Sequence, residues 1–356
     1  MKNVHFKGKS AFIKRLLYFG FFLISFNAYS TPTLNILNWD DYISEDVVKG
    51  WEDQTGARIR IITYDDEVAR DALLTDISQN QIDLAIVDAQ SSKKLSDLGY
   101  VANLDDPVMR RDIDPSWLDQ CGDFAIPYLW GTFGIAYRTD KLKKPVSSWA
   151  DLFTSRQDLV GHIGMISDYY SLTAPALLTL NLAPNTDKEE DLKQAYEVLK
   201  KQADDVLTYE YAPSYLLNSD KQDNLYVAAV YSGDQHSMND LMGKEVWEYF
   251  LPDEGSFVWL DCWIIPSNSE KQLLAKSFLK FIGQAAVAAL NSESLGVATV
   301  NRKAYLLQSK SFREDDLIYP SEEDFNKLLS FSNLSYSNIR KRTRMLEAVK
   351  VIHESK

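Results

Sequence analysis

The run Ile82-Asp83-Leu84-Ala85-Ile86-Val87 is apolar on both faces of a strand except for one acid. Such a strand needs cover on each side, which helices packed over a parallel sheet provide. It has company. Residues 34–38 read as a first strand and 58–64 alternate Ile with Arg as a second. Between them, 44–55 has a helical period with Ser44 as N-cap and Gly56 as stop, and 66–78 is a further helix. Short apolar strands separated by amphipathic helices predict an α/β domain built on a parallel sheet.

The same pattern resumes downstream. Strands are expected at 134–137, 161–166, 225–231 and 257–265, the last ending at Pro266. Helices are expected at 191–203, at 268–282 and through the tail, 321–356. A chain of 356 residues exceeds one comfortable core. Two α/β lobes joined by strands fit this length, and the crevice between lobes is where ligands bind.

Lys2, Lys7, Lys9, Lys14 and Arg15 precede the apolar run 16–26, and Ala28-Tyr29-Ser30 has the small-x-small pattern of a cleavage site. Residues 1–30 therefore read as a signal peptide removed after Ser30, and no later segment reaches membrane-spanning length. The remainder carries 33 basic and 51 acidic residues, a net charge of −18. That balance repels nucleic acid and anionic lipid and favours cationic ligands. Cys121 and Cys262 suit either an exported bridge or two buried thiols, and two cysteines are too few for a cysteine-only zinc site.

Catalytic material is sparse. His162, His236 and His353 form no zinc-spaced pair. There is no Gly-x-Ser-x-Gly elbow, P-loop or dinucleotide glycine motif. The expectation is a binding protein without cofactor or metal rather than an enzyme. A secreted glycoside hydrolase is the competing class, because paired carboxylates abound in any acidic chain.

Four clusters join aromatics to acids: Trp39-Asp40-Asp41-Tyr42 after the first strand, Asp168-Tyr169-Tyr170, Tyr231-Ser232-Gly233-Asp234, and Trp259-Leu260-Asp261. Aromatics near strand ends also pack cores, and Asp168 or Asp234 would serve as a helix N-cap. Asp261 differs, since an acid inside an apolar strand is costly unless a cation pairs with it. Strand alternation places Trp259 and Asp261 on one face. Together the clusters describe a site for a flexible aliphatic polycation, with rings for the methylenes and ammonium faces and carboxylates as a ruler for amine spacing. A carbohydrate binder shares the aromatic walls.

The ordered series Asn38-Trp39-Asp40-Asp41-Tyr42, Ile82-Asp83-Leu84, Ile126-Pro127-Tyr128-Leu129-Trp130-Gly131, Ser148-Trp149-Ala150-Asp151-Leu152, Tyr231-Ser232-Gly233-Asp234, Trp259-Leu260-Asp261 and Tyr319-Pro320 resembles the bacterial periplasmic spermidine/putrescine-binding proteins. The resemblance implies a two-lobed periplasmic binding fold of type II, each lobe a mixed sheet flanked by helices, with 31–132 plus 261–304 in one lobe and 133–260 plus 305–356 in the other. It also implies a monomer that closes on a polyamine and meets a membrane partner, either the permease of an ABC transporter or a membrane-bound sensor. By the same resemblance Trp39, Asp40, Asp41 and Tyr42 match the motif whose acid holds a terminal amine. Trp259 with Asp261 matches the aromatic-x-Asp that grips another amine, Asp234 an acid of the putrescine branch, and Asp168 the acid beside a further amine. Tyr231 stands where Trp is usual. Departures complete the candidate set: Asp88 and Gln90 lie where the family has Pro-Ser and a following residue, and Phe331 where spermidine binders carry Gln.

Overall fold

A computed structural model describes residues 31–64, 70, 72–74, 81–326, 328–330 and 334–355. The signal-peptide expectation, most of the expected helix 66–78 and Phe331 lie outside the described residues. Among the described residues, no single helix is long and apolar enough to cross a membrane.

The strands are β1 (Thr33–Asn38), β2 (Arg58–Thr63), β3 (Leu84–Asp88), β4 (Ile126–Arg138), β5 (Ile163–Gly164), β6 (Val206–Thr208), β7 (Val227–Tyr231), β8 (Trp247–Phe250), β9 (Phe257–Ile264), β10 (Ala298–Thr299) and β11 (Leu329–Ser330). Their order is β2-β1-β3-β9-β4-β7-β5-β6, with β8 and β10 added to β4 and β11 to β9. The helices that bear on the site are α1 (Glu45–Thr55), α2 (Ala89–Asp97), α3 (Pro115–Cys121), α4 (Tyr169–Thr179), α5 (Asp234–Met242), α6 (Gln272–Ile282) and α7 (Tyr336–Glu354).

The parallel sheet expected from the local pattern needs correction. β2-β1-β3 is parallel at one end and β7-β5-β6 at the other. Between them β9 and β4 run antiparallel to their neighbours, so the sheet is mixed. β4 is also far longer than the expected 134–137. It pairs with β9 through Thr132 and with β7 from Phe133 onward. Pro127 and two glycines break its apolar pattern, which hid the strand's first half.

Two of three clusters of buried residues flank this central pair, and the third, with Ala136, Leu216, Val230 and Trp247, lies along β7 and β8. One of the flanking two gathers Leu34, Ile36, Trp51, Ile86, Trp263 and Phe278. The other gathers Phe133, Trp149, Leu172, Leu177, Leu199 and Val349. Each fully buried side chain of this kind contributes roughly 1.5–3 kcal/mol relative to exposure. α1 presents Val47 and Trp51 inward, and Gly56 ends it in the left-handed region at φ 69°, as the sequence suggests. The tail is not one helix: a short turn at Glu322–Phe325 and β11 precede α7. Cys121 and Cys262 form a disulfide that ties the end of α3 to β9.

Candidate functional site

The strand β9 supplies the centre of the site. Its residues alternate between the faces, so Trp259 and Asp261 share one side of the sheet. Trp259 approaches β4 closely because residue 131 is glycine. A β-carbon there would sit 2.6 Å from the indole and 2.6 Å from the Ser232 hydroxyl. Around this indole stand Tyr42, with ring centroids 6.5 Å away, and Tyr231, at 6.0 Å. Tyr128 meets Tyr42 edge-on at 5.6 Å and is fixed by hydrogen bonds to the Tyr42 carbonyl and from the Asn291 amide. These rings form a wall with apolar faces and polar rims.

Asp261 is buried beside that wall, and no cation forms an ion pair with it among the described residues. Burial first, then the nearby Asp88 charge, pushes its pKa up to about 7 against the opposing effects of Tyr42 and Arg70. Tyr42 is in turn raised well above the ordinary phenol range by burial and by the Asp261 charge. Its hydroxyl is directed at the Asp261 carboxylate, whereas the Trp259 indole N–H lacks a hydrogen-bond partner among the described residues. An unpartnered buried donor is costly and marks a place for a ligand or water.

Asp234 is the second such carboxylate. Gly233, at φ 100°, turns the chain directly after β7, where a β-carbon would strike the Gly296 carbonyl at 2.9 Å. The expected N-cap role for Asp234 is corrected here: Gly233 is the N-cap, and Asp234 is the first residue of α5. Its carboxylate instead accepts hydrogen bonds from the Tyr211 hydroxyl (2.5 Å) and the Tyr231 backbone N–H (2.8 Å). Burial outweighs both bonds and pushes its pKa up to about 7.

Asp168 caps α4 as expected, accepting the Ser171 N–H at 2.6 Å. Burial holds its pKa above the ordinary range, with the Asp88 charge adding to it. Ser171 Oγ lies 3.4 Å from the Tyr231 hydroxyl, which joins this helix end to the ring wall.

Asp88 is opposite Asp261 in the β3–β9 register, so the two side chains share a face. It forms an ion pair of 2.9 Å with Arg70, whereas the other three have no ion pair among the described residues. Burial pushes Asp88 up, but Arg70 and Ser91 more than offset it and leave the pKa below the usual range. Gln90 is half-buried in the first turn of α2. Trp39 packs on Tyr64 with centroids 4.3 Å apart, near Arg70.

Asp40 and Asp41 differ from these acids in exposure. Both are exposed on the turn after β1, where Asp41 takes φ 49°. Small polar side chains tolerate that conformation. Sequence reasoning missed Tyr64, Arg70 and Tyr211. Tyr64-Asp65 follows β2 with the same aromatic-plus-acid signal that marked the other clusters. A lone arginine in a helix carries no such signal.

Comparison with known proteins gives concordant findings. The family pattern described as bacterial extracellular solute-binding protein matches residues 46–318. The chain is 33% identical over 327 residues to the norspermidine sensor of Vibrio cholerae, covering 92% of this chain and 91% of that one. It is 28% identical over 350 residues to a putrescine-binding periplasmic protein of Pseudomonas aeruginosa, covering 91% and 93%. A solved structure from Listeria monocytogenes, assigned to spermidine/putrescine ABC transport, superposes with a TM-score of 0.80 at 27% identity, covering 90% of this chain and 99% of that one. The mixed sheet and its flanking helices are thus the type II periplasmic binding fold.

Proposed function

The chain belongs to the bacterial extracellular solute-binding protein family, and on that premise we propose that it binds a linear polyamine of the putrescine, norspermidine or spermidine class. One observation carries the reading. Asp261 is buried on the Trp259 strand and Asp234 is half-buried beside Tyr231, and neither forms an ion pair with a cation among the described residues. An ionised carboxylate kept from water costs several kcal/mol unless a cation meets it. A protonated alkylamine supplies that cation at two points, and its methylenes lie along the rings. A neutral sugar would leave both charges unmatched. Asp168 is positioned to meet a further ammonium, with Trp39, Tyr42 and Tyr231 as walls; the exposed Asp40 and Asp41 would reach a ligand only on closure.

Residues 31–132 with 261–304 form one lobe in this reading, and 133–260 with 305–356 the other. Closure occurs about β4 and β9, the strands that pass between the two flanking clusters. The protein acts outside the cytoplasm as a monomer, after cleavage following Ser30, and performs no catalysis. Its partner is the membrane permease of an ABC transporter. A membrane-bound sensor is the second reading, favoured by the 33% identity to a norspermidine sensor.

A thermal-shift series tests the ligand class. At a hundred times its dissociation constant a ligand stabilises the fold by about 2.7 kcal/mol. Putrescine, norspermidine or spermidine should raise the melting temperature, while sugars and amino acids leave it unchanged; the opposite pattern contradicts the proposal.

A further inference from the structure

Asp88 is the carboxylate in the cluster that the protein neutralises with its own side chain. Both of its oxygens are engaged. Oδ1 accepts the Ser91 N–H at 2.8 Å, and Oδ2 accepts from Arg70 Nη1 at 2.9 Å. Arg70 is 1% exposed, whereas the Asp88 side chain is 31% exposed, so the guanidinium approaches from the protein side. Its Nη2 donates to Ser91 Oγ at 2.6 Å, and its guanidinium lies 5.9 Å from the Tyr64 ring centroid. Tyr64 leans on Trp39, 4.3 Å away. A carboxylate, a hydroxyl and an aromatic face are the elements of an ammonium-binding position. Here they surround a cation that belongs to the chain.

The neighbouring carboxylates make this occupancy consequential. Asp88 faces Asp261 across the β3–β9 pair. Its charge is also felt at Asp168 as well as at Asp261. Without the guanidinium, a fourth carboxylate of this cluster would need a cation, and the ligand would be its nearest source. We infer that Arg70 is a specificity-determining residue: its guanidinium fills the cation position beside Asp88 and so limits the number of ammonium groups the site accepts. The inference rests on the polyamine reading, and it adds a control over ligand length that the carboxylates alone would not impose.

The test is calorimetry of the full-length mature protein, freed of ligand by unfolding and refolding, against putrescine, norspermidine and spermidine. Arg70→Gln should raise the triamine-to-diamine affinity ratio at least about tenfold, because a third ammonium gains a buried partner. Asp88→Asn leaves the guanidinium unbalanced and should lower the same ratio. The double variant Arg70→Gln/Asp88→Asn removes both charges and should return the ratio toward the wild-type value, an outcome that a purely structural role for Arg70 would not produce. A ratio that stays level or falls in Arg70→Gln overturns the inference. If that variant shows no cooperative melt, Asp88→Asn decides, and a ratio at or above wild type overturns it. Wild-type protein that binds none of the three amines overturns the polyamine reading instead.

Discussion

Asp261 stands in a strand of otherwise apolar and aromatic side chains, and its burial decides the chemistry around it. With its pKa at about 7, as for Asp234, it holds a proton in the ligand-free protein below neutrality. An unfolded aspartate titrates near 4. Each group therefore contributes stability that is present below about pH 4 and lost as pH rises through about 7. Ammonium binding runs the other way, because it needs the ionised form. Polyamine affinity should fall as pH drops below 7, by up to tenfold per pH unit for each carboxylate that must release a proton. Asp261→Asn should weaken binding by about 2–4 kcal/mol and flatten part of that profile. Calorimetry of both proteins between pH 5 and 8 checks this, and an unchanged affinity or a flat wild-type profile contradicts it. At this scale the sequence was informative where chemistry was incongruous. An acid within Trp259-Leu260-Asp261 is conspicuous, and so is Asp234 after an apolar strand. Arg70 was invisible because its meaning lies in Asp88, 18 positions away, and in Tyr64, which only the fold brings together. Asp40 and Asp41 matched a motif, and both stand exposed on the turn where Asp41 takes φ 49°.

Among the elements, β4 and β9 matter most, because Gly131, Trp259 and Asp261 of the candidate site lie on them. Cys262 follows Asp261 directly, and its disulfide to Cys121 closes a sequence separation of 141 residues. Cross-linking a loop of that size stabilises the fold mainly by restricting the unfolded chain. Replacing both cysteines by serine should cost about 2–5 kcal/mol in denaturant unfolding. A loss well under 1 kcal/mol would show that the bridge contributes little. Two cysteines in the sequence left the bridge undecided, since pairing depends on distances that spacing does not encode. Some helices and strands were readable from local period and caps, as with α1 ended by Gly56 and α4 capped by Asp168, while α2, α3, β6 and β8 were not anticipated. Strand direction was not readable either. A strand buried on both faces looks the same in either orientation, and β9 inserts between β3 and β4 from far along the chain.

The described residues pack as three buried clusters on one mixed sheet, in which β4 and β9 pair and carry Gly131, Trp259 and Asp261. Length predicted more than one core, and the order of motifs along the chain predicted the family. What neither gives is the balance of charge inside the site, which depends on which acids the protein neutralises for itself. The most direct measurement is titration calorimetry on refolded, ligand-free protein with diamines, triamines, a sugar panel and amino acids. Saturable one-to-one binding of at least one polyamine, with no heat from sugars or amino acids, is the predicted result. Binding of a neutral sugar, or of no amine at all, would mean that Asp234 and Asp261 are placed where they are for some reason other than to meet a protonated alkylamine.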